Sequence, residues 1–172
     1  NYFAYVSKKD MTDLDGNTVT TLSNYDVSKG VIIEETVKND GDNMYKKTIY
    51  SGYQNKGGVW LPTSLTMTQK HADDATPYTT VTTYSYDDKG NVLSSTVNSG
   101  TSTARKTTST FDAYGNVLSS VTTGNGVKAI TRFNDYDPSG RFIIKSYTSP
   151  ASAINTFTYD LWGDLLTASD AT

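Results

Sequence analysis

Few residues in this chain are of the kinds that do chemistry, and their spacing decides what each can do. The single histidine, His71, stands close to Asp73 and Asp74, the nearest approach to a metal-ligand set. A structural zinc site wants four well-placed ligands, commonly thiolates, and the sequence has no cysteine. Asp13-Leu14-Asp15-Gly16-Asn17 resembles the opening of a calcium loop. Such a loop continues to a bidentate Glu, and the only glutamates are Glu34 and Glu35. Asp40-Gly41-Asp42-Asn43 reads the same way, as a turn. Glu34 and Glu35 would be neighbours on a strand and so point to opposite faces, whereas a glycosidase pair must flank one bond about 5–9.5 Å apart. Every other acid is Asp, placed mainly in turn-like contexts that single out no pair. Acyl transfer would have only His71 as its usual base, and no Gly-x-Ser-x-Gly elbow is present. Gly124-Asn125-Gly126 is followed by no predicted helix, which removes the phosphate-cradle reading. The expectation is a non-catalytic chain with no cofactor and no metal site.

The elements that would carry these residues announce themselves as a repeat. Tyr86-Asp87-Asp88-Lys89-Gly90-Asn91-Val92-Leu93, Phe111-Asp112-Ala113-Tyr114-Gly115-Asn116-Val117-Leu118, Tyr136-Asp137-Pro138-Ser139-Gly140-Arg141-Phe142-Ile143 and Tyr159-Asp160-Leu161-Trp162-Gly163-Asp164-Leu165-Leu166 align without gaps, their aromatics 25, 25 and 23 positions apart. Thr12-Asp13-Leu14-Asp15-Gly16-Asn17 is a fifth copy with Thr in the aromatic place, and Tyr25–Gly30 and Tyr53–Gly57 are degenerate relatives. Asp at the first position of a type I turn accepts hydrogen bonds from the backbone beyond it, and Gly at the fourth takes positive φ. With a left-handed Gly, such a turn closes a β-hairpin through a G1 bulge. Flanks such as Thr82-Thr83-Tyr84-Ser85-Tyr86 are strand-like. Between the repeats lie further turns at Asn39-Asp40-Gly41-Asp42, Asn98-Ser99-Gly100 and Gly124-Asn125-Gly126, and His71–Pro77 reads as a longer loop.

The fold class predicted is therefore all-β. We expect a meandering antiparallel sheet of tandem hairpins with about thirteen strands, open edges and no helix. It forms one array over residues 1–172, with weak repeats in 1–70 and clear ones in 82–172. Apolar residues make up only 35% of the chain, which predicts a thin sheet with wet surfaces rather than a thick closed core. Lys and Arg number 15 against 18 Asp and Glu, and the isoelectric point is near 5.0. That balance argues against a nucleic-acid partner. No apolar run reaches the roughly 18 residues of a membrane span. Lacking an initial Met, the chain reads as a piece of a longer protein.

The pattern aromatic-Asp-x-x-Gly-(Asn/Arg)-hydrophobic resembles the YD repeats of the rearrangement-hot-spot (Rhs) proteins, which include bacterial polymorphic toxins, toxin-complex C components and teneurins. The likeness is specific from about Thr82 to Leu166 and weaker from Thr12 to Leu65. Tyr86, Phe111, Tyr136 and Tyr159 match the family's aromatic. Asp87, Asp112, Asp137 and Asp160 match its Asp, and Gly90, Gly115, Gly140 and Gly163 its Gly. Arg141 keeps the frequent Gly-Arg, from which Asn91, Asn116 and Asp164 depart. The resemblance implies hairpins joined edge to edge into a long sheet that encloses a toxic cargo, on a secreted or cell-surface bacterial protein. It also implies further repeats of the same protein as partners, and the open edges of the predicted sheet, which can pair with other chains, predict self-association in isolation.

An alternative of another class is a carbohydrate-binding module. Thirteen Tyr and two Trp on a polar sheet are amphipathic rings suited to stacking on sugars, and Trp162 and Tyr114, both at third turn positions, are the candidate ligand contacts. A pure scaffold would instead line up Tyr86, Phe111, Tyr136 and Tyr159 in one covered file.

Overall fold

The computed structural model describes residues 5–39, 45–71, 73–124, 126–150 and 153–171. Asp40 to Asn43, Ala72 and Asn125 lie outside the described residues, and with them parts of two predicted turns and of the predicted long loop.

The described chain is all strand and turn, with no helix. Its strands are β1 (Lys8–Thr12), β2 (Thr18–Asp26), β3 (Val31–Asn39), β4 (Tyr45–Ser51), β5 (Gln54–Lys56), β6 (Val59–Leu61), β7 (Ser64–Lys70), β8 (Tyr78–Tyr86), β9 (Val92–Val97), β10 (Arg105–Phe111), β11 (Val117–Gly124), β12 (Val127–Tyr136), β13 (Ile143–Ser149), β14 (Ile154–Tyr159) and β15 (Leu165–Ala171). Thirteen of them form one antiparallel meander in the order β1-β2-β3-β4-β7-β8-β9-β10-β11-β12-β13-β14-β15, and β5 and β6 make a separate two-stranded hairpin.

The chain divides into two compact units, one of Asn1–Tyr84 with Val97–Gly100, the other of Ser85–Thr96 with Thr101–Thr172. In the first unit the sequence suggested a degenerate repeat turn at Tyr53–Gly57. The structure puts Gln54–Lys56 into β5 and turns the chain one step later, at Gly57 and Gly58. Both glycines have positive φ, 58° and 87°, which a two-residue type I′ hairpin turn requires. The pair of glycines outcompeted the approximate match to the repeat.

Neither unit has a hydrophobic core among its described residues. Among the described residues no hydrophobic side chain is buried, and the buried ones are Thr20, Ser23, Thr48 and Thr82, all in the first unit. What holds strand to strand beyond the backbone ladder is a set of hydroxyl pairs in register. Thr107 faces Thr122 at 2.9 Å, Thr110 faces Ser119 at 2.7 Å, and Thr156 and Thr158 face Ser169 and Thr167, each at 2.7 Å. Pairs of this kind contribute roughly 0.2–1 kcal/mol each, which gives the abundance of Thr and Ser a structural purpose.

The register slips just before each repeat aromatic whose strand pairing is described, Tyr25, Phe111, Tyr136 and Tyr159. Phe111 faces Val117 whereas Thr110 faces Ser119, and Leu118 is left over. The same slip leaves over Ile33, Ile144 and Leu166 beside Tyr25, Tyr136 and Tyr159. These bulged residues are exposed. They account for the aliphatic doublets Ile32-Ile33, Val117-Leu118, Ile143-Ile144 and Leu165-Leu166, which strict alternation would have split between two faces.

Candidate functional site

The residues that organise this molecule are those of the Asp-x-x-Gly turns. In the turns that begin at Asp13, Asp87, Asp112 and Asp160, the Gly amide donates back to the Asp carbonyl at 3.2 or 3.3 Å. The Asp amide donates to the carbonyl of the residue after Gly at 3.0 Å. Gly16, Gly90, Gly115 and Gly163 have φ between 86° and 94°. This is the type I turn with a G1 bulge, the left-handed Gly closing the wider ring.

Each Asp side chain ties its own turn together. Asp112 Oδ1 accepts from the amides of Tyr114 and Asn116 at 2.8 and 2.9 Å, and its Oδ2 accepts from Asn116 Nδ2 at 2.9 Å. Asp13 with Asn17 and Asp87 with Asn91 repeat this arrangement. The departure from Gly-Arg to Gly-Asn therefore has a cause that the sequence reading missed: the Asn amide is a second clamp on the turn Asp. Asp164, in the same place after Gly163, gives Asp160 its backbone N–H at 2.9 Å, and a carboxylate has no amide to add.

These bonds favour the ionised acid. Asn91 Nδ2, and then backbone amides, hold Asp87 below the ordinary carboxylate range, and Asn17 does the same for Asp13. Desolvation acts upward on Asp112, but its bonds from Asn116, Tyr114 and Gly115 bring it below the ordinary value. Asp137 is lowered to about 2, first by the Ser139 hydroxyl and then by the Phe142 amide. Asp26 is lowered to about 2, first by the Lys29 ammonium and then by the Ser28 hydroxyl.

The turn at Asp137 differs from its gapless sequence alignment. Its closing bond runs from the Asp137 amide to the carbonyl of Phe142 at 2.9 Å, one residue beyond the other copies. The added length carries Phe142 to the next repeat, where its ring stacks on Tyr159 with centroids 4.9 Å apart. There it also closes over Gly163, where a Cβ would lie 2.5 Å from Phe142 Cζ.

That contact belongs to a ladder within the second unit, in which each turn covers the glycine of the next. A Cβ on Gly140 would lie 2.9 Å from Tyr114 Cδ2, and one on Gly115 would lie 3.2 Å from Asn91 Oδ1. Asn116 Nδ2 donates to the Gly140 carbonyl at 2.6 Å, and Lys89 Nζ to the Ala113 carbonyl at 2.5 Å. The repeat Gly thus answers two demands, a left-handed backbone and a neighbour too near for a side chain.

The aromatics add a second tie between repeats. Tyr136, Tyr159, Tyr86 and Phe111 are all half-buried. Tyr136 donates its hydroxyl to the Val117 carbonyl at 3.2 Å, and Tyr159 to the Ile143 carbonyl at 3.1 Å. In the first unit Tyr25 reaches the Val6 carbonyl at 2.9 Å, and Tyr53 bonds the Ile32 carbonyl. Tyr53 therefore keeps the repeat's aromatic role although its turn has changed. The sequence predicted a file of touching rings; the ties at Tyr136 and Tyr159 run from hydroxyl to backbone, Tyr159 adds its ring contact with Phe142, and in the first unit the Tyr25 ring lies 4.7 Å from that of Tyr5.

The two candidate ligand contacts stand at the surface. Trp162 is 90% exposed and Tyr114 is 78% exposed, the latter with one ring edge against Gly140. Elsewhere the structure brings little chemistry together. The His71 amide donates to Asp74 Oδ2 at 2.8 Å, which makes that pair a turn, and Glu34 pairs with Lys47 at 2.9 Å. Among the described residues no three His, Asp or Glu side chains converge, and no helix is long and apolar enough to cross a membrane. A depression of about 420 Å³ is lined by Thr107, Ser120, Thr122, Lys128, Ile130 and Arg132, without a carboxylate or imidazole. In comparison with known proteins, no family model matches the chain and no curated protein matches it.

Proposed function

We propose that this chain is a non-catalytic structural scaffold. On this reading it is a stretch of YD-repeat sheet from a secreted or cell-surface bacterial protein, and it forms part of the wall of a shell around a toxic cargo. The observation that carries the reading is the turn ladder. Side chains in or just after one turn cover the glycine of the next, and Tyr hydroxyls clasp the backbone of the preceding repeat. The residues that the repeat specifies are occupied with its neighbours. A sheet without a buried hydrophobic side chain among its described residues gains stability by adding neighbours rather than by thickening, as repeat arrays do.

A glycan-binding module is the second reading, favoured by the exposure of Trp162 and Tyr114. Tyr114 already lies against Gly140, which supports the scaffold. A glycan array followed by calorimetric titration decides between them. The scaffold predicts no binding. Micromolar affinity for a sugar that Trp162→Ala abolishes, with the thermal melt unchanged, would establish the binding module instead.

A further inference from the structure

The cations around the depression of about 420 Å³ in the second unit serve nothing in the sheet. Lys128 and Arg132 stand two places either side of Ile130 on β12, and all three line the depression, as alternation along a strand requires. Both cations are exposed, and Ile130 between them is 45% exposed. Neither cationic side chain makes a hydrogen bond or ion pair among the described residues. The floor comes from β10 and β11. Thr107 and Thr122 share one hydrogen bond of 2.9 Å in which either can be the donor, which leaves the other hydroxyl hydrogen free to turn outward. Ser120, the register partner of Arg132, adds a hydroxyl bonded to no described residue.

Charge is segregated here. The chain as a whole has a formal net charge of -3, yet β10 to β13 carry Arg105, Lys106, Lys128, Arg132 and Lys145 against Asp135 alone. Asp135 lies three places from Arg132 and so on the other face, where Lys145 is its register partner. Arg105, two places before Thr107, extends the cationic face, and no acid of these four strands shares it. Both β11 and β12 are bonded to a strand on each side. A partner therefore cannot join them as a further strand and must lie on the face.

We propose that this face docks an extended acidic segment of a partner protein, of the pattern acid-x-apolar-x-acid, lying along β12. Alternate residues of an extended segment recur at the same interval as those of the strand beneath it, roughly 6.6 Å. The outer acids then meet Lys128 and Arg132, and the apolar residue rests on Ile130. Arg132 presents a planar fork that takes a carboxylate through two bonds. The hydroxyls of Thr107, Ser120 and Thr122 both donate and accept, as peptide N–H and C=O groups require. An inorganic anion would need donors only and would leave Ile130 bare. The proposal goes beyond the scaffold reading, which gives this face no role.

Fluorescence anisotropy on the purified chain, with a labelled peptide carrying Glu-Thr-Leu-Thr-Glu, tests the contact up to submillimolar protein. The peptide should bind, and the permuted Glu-Glu-Leu-Thr-Thr, whose adjacent acids point to opposite sides, should bind at least about tenfold more weakly. Arg132→Ala and Lys128→Ala should each weaken binding at least about tenfold, the loss expected of a charge-assisted bond, with the thermal melt unchanged. Lys106→Ala removes the same charge from the other face and should bind as the wild type does. The double variant Lys128→Glu, Arg132→Glu should lose the acidic peptide and take up Lys-Thr-Leu-Thr-Lys instead. A folded wild-type chain that leaves the acidic peptide free overturns the proposal. So does equal affinity for the permuted peptide, a Lys106→Ala loss equal to that of Lys128→Ala, or binding of heparin in place of the peptide, which would assign the face to another class of partner. Those results leave the scaffold reading standing, since it falls only to a Trp162-dependent sugar complex.

Discussion

Gly163→Ala tests the ladder most sharply, because the structure supplies both a control and a rescue. At Gly163 φ is 94°, and at Gly126, in the same unit, it is 70°. Placing Ala in the left-handed region costs roughly 1–2 kcal/mol, and its smaller unfolded-state entropy offsets about 0.4–1 of that. Gly126 has nothing within 4 Å of its Cβ position, so Gly126→Ala should destabilise by about 1 kcal/mol. The Gly163 methyl would in addition lie 2.5 Å from Phe142 Cζ and 2.9 Å from Cε1. Phe142 cannot withdraw without giving up its stack on Tyr159 and the Arg141 guanidinium 5.1 Å from its ring centroid. Overpacking of this sort adds about 1–3 kcal/mol.

Chemical denaturation and thermal melts followed by circular dichroism should therefore rank Gly163→Ala below Gly126→Ala. The gap should be at least about 4 °C in Tm for a unit of this size. In a Phe142→Ala background the obstruction is gone, and Gly163→Ala should shrink to the Gly126→Ala value, a coupling of about 1–3 kcal/mol in the double-mutant cycle. Equal melts for the two glycine variants, or a Gly163→Ala effect that Phe142→Ala leaves unchanged, would refute the claim that this glycine is held by its neighbour.

Two further outcomes follow from the same geometry. A carboxylate whose folded pKa lies below its unfolded value stabilises the fold above the unfolded pKa and loses that contribution as pH falls through the folded one. Asp26 and Asp137, each lowered from 3.8 to about 2, should leave Tm insensitive to these groups near neutrality and make it fall between about pH 4 and pH 2. Asp137→Asn should flatten part of that fall in melts recorded across the range. The Tyr hydroxyl ties are tested in both senses. Tyr136→Phe should cost about 0.5–1.5 kcal/mol for its bond to Val117, while Phe111→Tyr, which restores a hydroxyl 19 residues after Val92 as Tyr136 is after Val117, should raise the melting temperature.

What was legible in the sequence was whatever depends on bonds within one turn. Asp87–Gly90, Asp112–Gly115, Asp137–Gly140 and Asp160–Gly163 all turn the chain where Asp and Gly demand it, because a four-residue turn carries its instructions locally. The strand order followed as well, since successive hairpins pair with the nearest strand. Relations between repeats were not legible. The role of Asn116 depends on Asp112 in its own turn and on the carbonyl of Gly140, 24 residues away, and composition gives no sign of the second. The bulges beside Phe111, Tyr136 and Tyr159 were hidden for another reason. A pair such as Val117-Leu118 violates alternation, and only the partner strand reveals that Leu118 has no residue opposite it.

These inter-repeat ties also explain how a sheet without buried hydrophobic side chains among its described residues can be specific. In a layered domain, register is fixed because a slip of one residue turns the apolar face to water. Here both faces are wet, and that penalty is weak. The ladder supplies another. A slip between β11 and β12 would carry Gly140 away from Tyr114 and Asn116 and bring a residue with a side chain into a gap too small for a Cβ. It would also pull the Tyr136 hydroxyl off the Val117 carbonyl. The periodic glycine thus acts as a register stop, and the periodic tyrosine as its latch. Phe111 lacks the latch's hydroxyl and Thr12 its ring, so register at those two repeats rests on the turn bonds and on the stop where one exists. At the Asp13 turn, where Gly16 has no cover, it rests on the turn bonds and on hydroxyl pairs such as Thr12 with Thr18 at 2.9 Å.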